Sequence, residues 1–519
     1  MLFNSYVFIF LFLPVVLLGF FWLSRVSQVY AAGWLALASL FFYGYWNLAY
    51  VGLLLSSIVC NYTFGLWITK AGLQHNEIRK KQLLSVAIVF NLLLLSYYKY
   101  ANFFIESLNS VAGSQWDIGN IILPLGISFF TFTQITFLVD AYQGKVKEPN
   151  FVRYTLFVTY FPHLIAGPVL HHKEMMPQFS GSSAYRIHWE NIAVGLTIFI
   201  LGLAKKVLVA DPLGEFATPI FNAVGAGGHP MFFEAWIGAL AYTLQLYFDF
   251  SGYTDMAIGL SLMFNVRLPM NFNSPYKSTS IIEFWRRWHM TLSRFLRDYL
   301  YIPLGGNRKG SSRRYLNLMI TMLLGGLWHG ASWTFVVWGG LHGLYLMVNY
   351  AWRSLKQRMS WTGIGRWGNL GAGILTFLAV VVGWVFFRAE NFSTAVDLLR
   401  GMLGLNGITF SKGLGNTGLA SIMRNYGAEF FGAMHLTNLD AFRAIKILVP
   451  GMFVVFMLPN VQQIMANFET VLDSPNKPGE KQTSLVWQSS LLGVFMMMMI
   501  GFLVIINLHK QSVFLYFQF

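Results

Sequence analysis

Charged residues are scarce in this chain, and their scarcity argues against a soluble globular protein. Asp, Glu, Lys and Arg make up 11% of the 519 residues, whereas soluble domains contain about 25%. Cysteine is almost missing as well. Cys60 is the only one in the sequence, so no intramolecular disulfide can form, and no Cys/His spacing predicts a zinc site.

Apolar residues take the place of the missing charge. They form 55% of the chain, and the mean hydropathy is +0.53. The apolar runs are long and continuous, without the alternation of transmembrane β-strands. Because lipid cannot pair backbone polar groups, such runs must span as helices. The sequence therefore predicts an all-α polytopic membrane protein with about 11–13 membrane segments, some of them short or re-entrant.

The predicted spans are distributed along the whole chain, so we expect a single membrane domain over 1–519 and no soluble domain. The spans lie at 6–23, 31–68 (two spans), 83–98, 121–139, 192–209, 232–264 (two spans), 371–387, 444–458 and 485–508. Segment 151–170 is apolar but contains Pro162, Gly167 and Pro168. These residues interrupt a helix, so this segment predicts a short or re-entrant element.

The net charge of +15 would indicate nucleic-acid binding in a soluble protein. In a membrane protein it indicates cytoplasmic loops, where Lys and Arg accumulate, so we predict membrane lipid and no nucleic acid as partner. Segment 388–443 contrasts with these loops. It holds five basic and four acidic residues, a balance that predicts a periplasmic loop able to meet a periplasmic partner.

The most basic part of the chain is segment 281–314, with eight basic residues against two acidic ones. Its helical spacing predicts a cytoplasmic amphipathic helix at the membrane interface. His289 falls on the apolar face, so its ring would point into the protein, as either a packing or a functional residue. The other residues of that face are Trp285, Trp288, Leu292, Phe295, Leu296 and Tyr299.

The same segment contains a candidate site for an acyl donor. The guanidinium groups of Arg286 and Arg287 can bind the phosphates of a nucleotide-like donor such as coenzyme A. The turn Gly305–Arg308 can add backbone N–H groups. The preference of cytoplasmic loops for basic residues explains these charges equally well.

Segment 315–350 predicts a helical hairpin that carries a second histidine. One helix of this length would extend about 54 Å, too long for a bilayer core of about 30 Å. We expect a break at Gly325–Gly326 and His329 near the apex, deep in the membrane. Ionisable groups there are costly and usually functional, so His329 is either a general base or a buried hydrogen-bonding residue. His342 is a weaker candidate, structural or supporting.

Two carboxylates, Asp249 and Asp255, also lie in apolar surroundings. A carboxylate within the membrane must pair or face a wet cavity. We expect both to fix helix packing or to orient a His or Arg side chain.

Six motifs together resemble one known family, the membrane-bound O-acyltransferases. The central three are Phe284–Ser293, Arg297–Arg308 and Leu324–Ala331, and the others are Pro162–Pro168, Tyr247–Met256 and Asn271–Tyr276. The ending Tyr516–Phe519 is similar to the family branch that O-acetylates alginate in bacteria. The motifs are specific as a set and cover most of the chain.

The resemblance implies a fold with a thin centre between two funnels, one on each membrane face. It implies that His329 is the central catalytic histidine and His289 the second one. It further implies a multi-pass protein of the bacterial inner membrane that accepts acetyl groups from acetyl-CoA, with no permanently bound cofactor. Periplasmic or membrane-anchored polysaccharide O-acetyltransferases would be its partners.

The resemblance leaves the exact reaction open. His329 can act as a base or carry the acyl group itself. The acceptor can be alginate, or cellulose, peptidoglycan or teichoic acid. A transporter without chemistry is the alternative from another functional class, although the clustered histidine and arginine motifs fit it less well.

Overall fold

The computed structural model describes residues 1–146, 150–360, 365–411, 419–425, 428–431, 434, 436–437, 439–472, 485–488, 490–508 and 514–515. These residues are mainly helical. One pair of short parallel strands, β1 (Ile408–Ser411) and β2 (Ala428–Phe431), is the exception. The predicted helical membrane fold is therefore confirmed. The ending Tyr516–Phe519 lies outside the described residues.

The α-helices are numbered in chain order. The first nine are α1 (Leu13–Ser24), α2 (Gln28–Gly44), α3 (Ala49–Leu73), α4 (Glu77–Leu95), α5 (Ala101–Ala112), α6 (Ile127–Tyr142), α7 (Phe151–Thr159), α8 (Phe161–Leu164) and α9 (His172–Ser180). The next seven are α10 (Trp189–Ala204), α11 (Asp211–Gly225), α12 (Phe232–Met263), α13 (Ile281–Arg287), α14 (Met290–Leu296), α15 (Gly310–His329) and α16 (Trp333–Arg358). The last six are α17 (Gly365–Arg388), α18 (Phe392–Met402), α19 (Leu419–Asn425), α20 (Ala441–Met457), α21 (Val461–Ile464) and α22 (Leu491–Asn507).

Short π-helical turns begin or extend several of these helices. They lie at Phe8–Phe12, Ser96–Tyr100, Lys205–Ala210 and Arg297–Tyr301, and 3₁₀ turns lie at Ser182–Tyr185 and Pro275–Lys277. Among the described residues, four helical segments are long and apolar enough to cross a membrane: Ala49–Leu73, Glu77–Ala112, Trp189–Gly225 and Gly365–Arg388. Phe8–Ser24 and Leu491–Asn507 are shorter apolar helices.

The helices form two compact units. The first contains Met1–Ala204, Gly252–Met270 and Val461–Gln518. Its core includes the short helices α7 and α8, most of whose residues are buried, so the prediction of short elements in segment 151–170 is confirmed. A cluster of aromatic rings surrounds them; the Phe42 and Phe161 rings, for example, lie 5.6 Å apart.

Helix α12 corrects one predicted boundary. The sequence predicts two spans in segment 232–264, but the structure has one helix of 32 residues there. Its glycines do not break the helix. Within the first unit, a Cβ atom on Gly195 of α10 would lie 2.6 Å from the carbonyl oxygen of Gly259, so the small residues let two helix backbones touch, as is common in membranes.

The second unit contains the described residues of Lys205–Ser251 and Asn271–Asn460. Its centre is the predicted hairpin, α15 packed against α16. The expected break at Gly325–Gly326 is wrong, because α15 continues through both glycines to His329. A Cβ atom on Gly326 would collide with the carbonyl oxygen of Phe335. This glycine therefore allows close helix packing, and the chain turns at Gly330 instead, before Ser332 caps α16.

The amphipathic helix predicted within segment 281–314 is also divided in the structure. Helix α13 ends at Arg287 and α14 begins at Met290, with a left-handed residue, His289, between them. The apolar side of the segment is nevertheless turned inward: Trp288, Leu292, Phe295 and Leu296 are buried. The inward direction of the pattern is confirmed, whereas the single helix is not.

The predicted periplasmic loop 388–443 contains regular structure. Helices α18 and α19 and the two strands lie within it, and 412–418, 426–427, 432–433, 435 and 438 lie outside the described residues. Which membrane face this segment occupies stays a prediction.

Candidate active site

His329 is the last residue of α15 and is 6% exposed. The helix ends there because Gly330, with a φ of −161°, continues the chain in an extended conformation. A helix C-terminus carries about half a negative charge. It therefore stabilises the positive charge that the imidazole gains when it accepts a proton. Three aromatic rings lie 4.9–5.1 Å from the imidazole centroid: Trp328, Trp338 and Phe387.

His289 is fully buried and lies in the break between α13 and α14. Its φ of 43° and ψ of 54° are left-handed, a conformation that costs a non-glycine residue about 1–3 kcal/mol. Backbone hydrogen bonds hold the break in place, because the Met290 amide donates to the Asn271 carbonyl at 2.9 Å. The break turns the imidazole inward, where the Phe250 ring packs edge-on against it at 4.9 Å.

Asn271 determines which nitrogen of His289 carries the proton. The Asn271 side-chain oxygen accepts from the Thr291 amide at 3.3 Å and from the Thr291 hydroxyl at 2.9 Å. Because a backbone N–H can only donate, the atom that it faces must be the oxygen of the Asn271 amide. His289 Nδ1 lies 3.1 Å from this oxygen and must therefore donate as well. In the neutral ring, the lone pair then belongs to Nε2.

The fold brings the two predicted histidines together. The His289 and His329 ring centroids are 6.4 Å apart. Both belong to the second unit. At this separation, both imidazoles can contact one reacting group placed beside them, as acid–base catalysis requires. The arrangement provides a nitrogen lone pair on His289 and, at His329, a site that favours positive charge.

The two candidate donor-binding arginines have different surroundings. Arg287 forms an ion pair with Glu283 at 2.8 Å and donates to the Asn273 carbonyl at 3.3 Å. Burial raises the pKa of Glu283, but hydrogen bonds from Thr279 and the charge of Arg287 outweigh it and leave this pKa below its usual value. Glu283 is therefore ionised at neutral pH and holds Arg287. Arg286 is exposed, so it is the arginine that a donor can reach.

His342 lies outside this arrangement of polar groups. It is completely buried, and neither ring nitrogen has a hydrogen-bond partner among the described residues. Its ring packs on Trp338 at 4.8 Å, and the Trp338 ring also contacts His329. The remaining ring neighbours are Phe284, Trp285, Tyr345 and Trp384. The predicted structural role of His342 agrees with this packing.

Asp249 forms a buried ion pair, as predicted for a carboxylate at this position. Its side chain lies 2.6 Å from Lys206 Nζ, which also lies 2.8 Å from Asp211. The next residue, Phe250, is the one that packs against His289. Lys206 and Asp249 therefore help to hold a wall of the site. Asp255 is buried too, but in the first unit.

The sequence alone assigns no role to Asn271 or Lys206. Asn271 lies within the motif Asn271–Tyr276, and Lys206 lies within the predicted span 192–209. Asn271 lies 18 residues before His289, a separation that no helical or strand periodicity connects. One signal could have identified Lys206: a lysine within an apolar membrane segment must pair with an acidic group or face a wet cavity.

Comparison with known proteins agrees with the motifs. The family model of the membrane-bound O-acyltransferases matches residues 40–389. A peptidoglycan O-acetyltransferase from Helicobacter pylori is 40% identical over 552 residues, covering 100% of this chain and 98% of that protein. A "Probable alginate O-acetylase AlgI" from Azotobacter vinelandii is 45% identical over 417 residues, covering 79% of this chain and 80% of that protein.

A less similar relative is named for the transfer of a different acyl group. The teichoic acid D-alanyltransferase of Bacillus subtilis is 25% identical over 283 residues, covering 53% of this chain and 70% of that protein. The family model spans most of the sequence, and the matched range 40–389 contains the positions of His289 and His329. The chain belongs to the membrane-bound O-acyltransferase family, whose members are polytopic membrane enzymes.

Proposed function

We propose that this enzyme takes acetyl groups from acetyl-CoA in the cytoplasm and passes them across the bacterial inner membrane to an exported polysaccharide. Alginate is the first candidate acceptor, since a relative with 45% identity is named for alginate. The observation that carries the proposal is the buried histidine pair, in which Asn271 orients His289 beside His329. A transporter would not need a fixed tautomer at this point.

Two routes of acetyl transfer use these groups. In the first, His329 accepts the proton of an acceptor hydroxyl while the hydroxyl oxygen attacks the acetyl carbonyl. The thioester C–S bond then breaks, and the coenzyme A sulfur takes the proton from the imidazolium. In this route, the helix C-terminus at His329 stabilises the transient positive charge.

In the second route, a ring nitrogen of His329 attacks the carbonyl and carries the acetyl group. The thioester C–S bond breaks, and coenzyme A leaves as a thiol with the proton that the His329 ring gives up. The acceptor hydroxyl then attacks the acetyl-imidazole while His289 Nε2 accepts its proton, and this proton passes to His329 as the C–N bond breaks. Both routes keep the acetyl group uncharged within the membrane, where a free acetate would be costly. The two routes differ in one intermediate. Label from acetyl-CoA would remain on His329 without acceptor only in the second.

Arg286 is better placed than the Gly305–Arg308 turn to bind the donor near the histidines. It lies three residues before His289. The turn is anchored to α15 at Asn317, whose side chain donates to the Gly306 carbonyl at 2.9 Å. Asn317 lies 12 residues before His329, so this contact is roughly 18 Å along the helix from His329. We therefore assign the donor phosphates to Arg286, with Arg287 as its paired neighbour.

The decisive experiment supplies labelled acetyl-CoA to the purified protein, together with candidate periplasmic acetyltransferases and alginate oligosaccharide. We expect label on the polysaccharide with wild type and none above background with His329→Ala. His342→Phe is the matched control, because it changes another buried histidine of the same unit. Equal transfer by wild type and His329→Ala would refute the enzymatic role of His329.

Peptidoglycan is the second candidate acceptor. The relative that matches 100% of this chain is named for peptidoglycan, whereas the alginate relative matches 79%. The same assay distinguishes the two when alginate and peptidoglycan fragments are offered together. Label found only on peptidoglycan would replace alginate as the acceptor and leave the donor and histidine roles unchanged.

A further inference from the structure

A large groove lies in the second unit, away from the two catalytic candidates. Its volume is about 1150 Å³, and it is formed by α17, α20 and the turn Pro275–Lys277. Ordinary small-molecule pockets have about 300–1,000 Å³, so this groove suits a larger ligand. Its apolar walls are open: Trp367 is 83% exposed, and Phe453 and Met457 are exposed as well. Helix α17 is one of the four segments that can cross a membrane.

Two cations line this groove, Lys277 and Arg366, and no Asp or Glu is among its lining residues in the described part of the chain. Lys277 Nζ donates to the carbonyl of Leu458 at 2.7 Å, which fixes the ammonium group at the groove wall. Neither cation lies within 4.0 Å of a carboxylate in the residues that the structure describes. No carboxylate among the described residues would therefore compete with a bound anion for Lys277 and Arg366.

The surroundings of Lys277 favour the binding of an anion. Burial lowers the pKa of this ammonium group, and the positive charge of Arg287 lowers it further. Both effects mean that the charged form of Lys277 is destabilised by the protein itself. A negatively charged group beside it would reverse the effect by direct attraction.

The groove is polar at one end and apolar beyond it. A Cβ atom on Gly373 of α17 would lie 3.9 Å from the Ser278 carbonyl, so the Lys277 turn meets α17 near Gly373. Arg366 is seven residues earlier, about 10 Å along the helix. Beyond the turn, the Phe377 ring packs at 5.2 Å from Phe456. Cations within the first turns of a span, followed by aromatic and aliphatic walls, match an amphiphile with an anionic head.

We propose that this groove binds one anionic glycerophospholipid. Its phosphate lies between Arg366 and Lys277, and its acyl chains follow α17 and α20. The residues before α17 include Arg353, Lys356 and Arg358, a basic cluster typical of the cytoplasmic face. Anionic lipids of that leaflet are attracted to such clusters. The site is separate from acetyl transfer and does not depend on the acceptor.

The test is native mass spectrometry of the full-length protein in mild detergent, with phosphatidylglycerol or phosphatidylcholine of the same acyl chains added. We expect wild type to retain one phosphatidylglycerol with a preference of roughly 30-fold over phosphatidylcholine, as two cations near a membrane surface would give. Lys277→Gln combined with Arg366→Gln should abolish the preference. Equal retention of the two lipids by wild type would overturn the proposal.

Two further variants keep the result interpretable. Arg366→Gln alone changes an exposed residue, so it reports on the site even if the Lys277 change unfolds the protein; it should lower the preference by several-fold. Arg79→Gln with Arg400→Gln removes the same charge from exposed positions outside the groove and outside the basic cluster before α17, and the preference should persist. An unchanged preference in the groove variants would also overturn the proposal. So would displacement of the lipid by acetyl-CoA, which would assign the groove to the donor instead.

Discussion

His289 and His342 are both completely buried in the second unit, but their ring nitrogens meet different surroundings. His289 donates from Nδ1 to Asn271, which fixes a lone pair on Nε2. His342 lies among aromatic rings, and its nitrogens have no hydrogen-bond partner in the described residues. Burial alone therefore does not identify a functional histidine. What distinguishes His289 is a hydrogen bond that orients its ring toward a second histidine, His329.

The largest effect is expected from removing His329, the histidine toward which the His289 ring is oriented. We expect His329→Ala to lower acetyl transfer by about 10²–10⁴-fold, the usual contribution of a general acid–base group. Because the substitution removes no membrane segment, the protein should still insert and remain monodisperse in detergent. Transfer is measured with labelled acetyl-CoA, and folding by size-exclusion chromatography. Loss of the folded protein, instead of loss of transfer alone, would support a purely structural role.

The second test breaks the hydrogen bond that distinguishes His289. Asn271→Leu removes the acceptor for Nδ1, so the proton can move to Nε2. We expect kcat to fall roughly 10²-fold, within the range of acid–base catalysis, while KM for acetyl-CoA changes little. A mere loss of stability would lower the apparent kcat only through the amount of active protein, so kcat is normalised to the folded protein measured by size-exclusion chromatography. Unchanged kcat in a folded Asn271→Leu variant would contradict the orienting role.

Asn271→Asp sharpens the same test, because it keeps an oxygen for His289 and Thr291. The new carboxylate stabilises a protonated imidazole, so the neutral ring is present only at higher pH. We expect the rise of kcat with pH to move to higher pH and activity to return toward wild type in alkaline buffer. Thr291→Val is the control, since it removes only the hydroxyl donor and leaves the backbone amide in place. Its pH profile should match that of wild type.

The third test concerns the donor and separates the two adjacent arginines. Exposed Arg286 is free to bind phosphate, whereas Arg287 is held by Glu283. A hydrogen bond to a charged group contributes about 1.5–3 kcal/mol. Arg286→Ala should therefore raise KM for acetyl-CoA about tenfold or more, with a smaller effect for Arg287→Ala. Equal KM values for wild type and both variants would remove these arginines from the donor site.

Part of this arrangement could be predicted from the sequence, and part of it depends on contacts between distant residues. The helical fold and the inward direction of His289 followed from apolar runs and helical spacing. The break at His289 did not, because its cause is a distant backbone contact: the Met290 amide donates to Asn271. The predicted helix break at Gly325–Gly326 was wrong for a similar reason, because it too depends on a contact with a residue of another helix. Gly325 and Gly326 have the composition of a break, yet Gly326 is needed for the contact of α15 with Phe335.

The smallest expected effect belongs to His342, the other half of the comparison. Replacing a buried polar group that has no partner by an apolar group of similar shape is nearly neutral or stabilising. His342→Phe should therefore leave kcat within about twofold of wild type and leave thermal stability unchanged or slightly raised. Both are measured on the same detergent-purified sample.

His342→Ala is the contrasting variant. It leaves a cavity beside Trp338 and should lower the free energy of unfolding by about 2–4 kcal/mol. A secondary effect on acetyl transfer is expected because the Trp338 ring contacts His329. A large loss of transfer in a stable His342→Phe variant would show that His342 takes part in the reaction and that its aromatic surroundings do not make it inert.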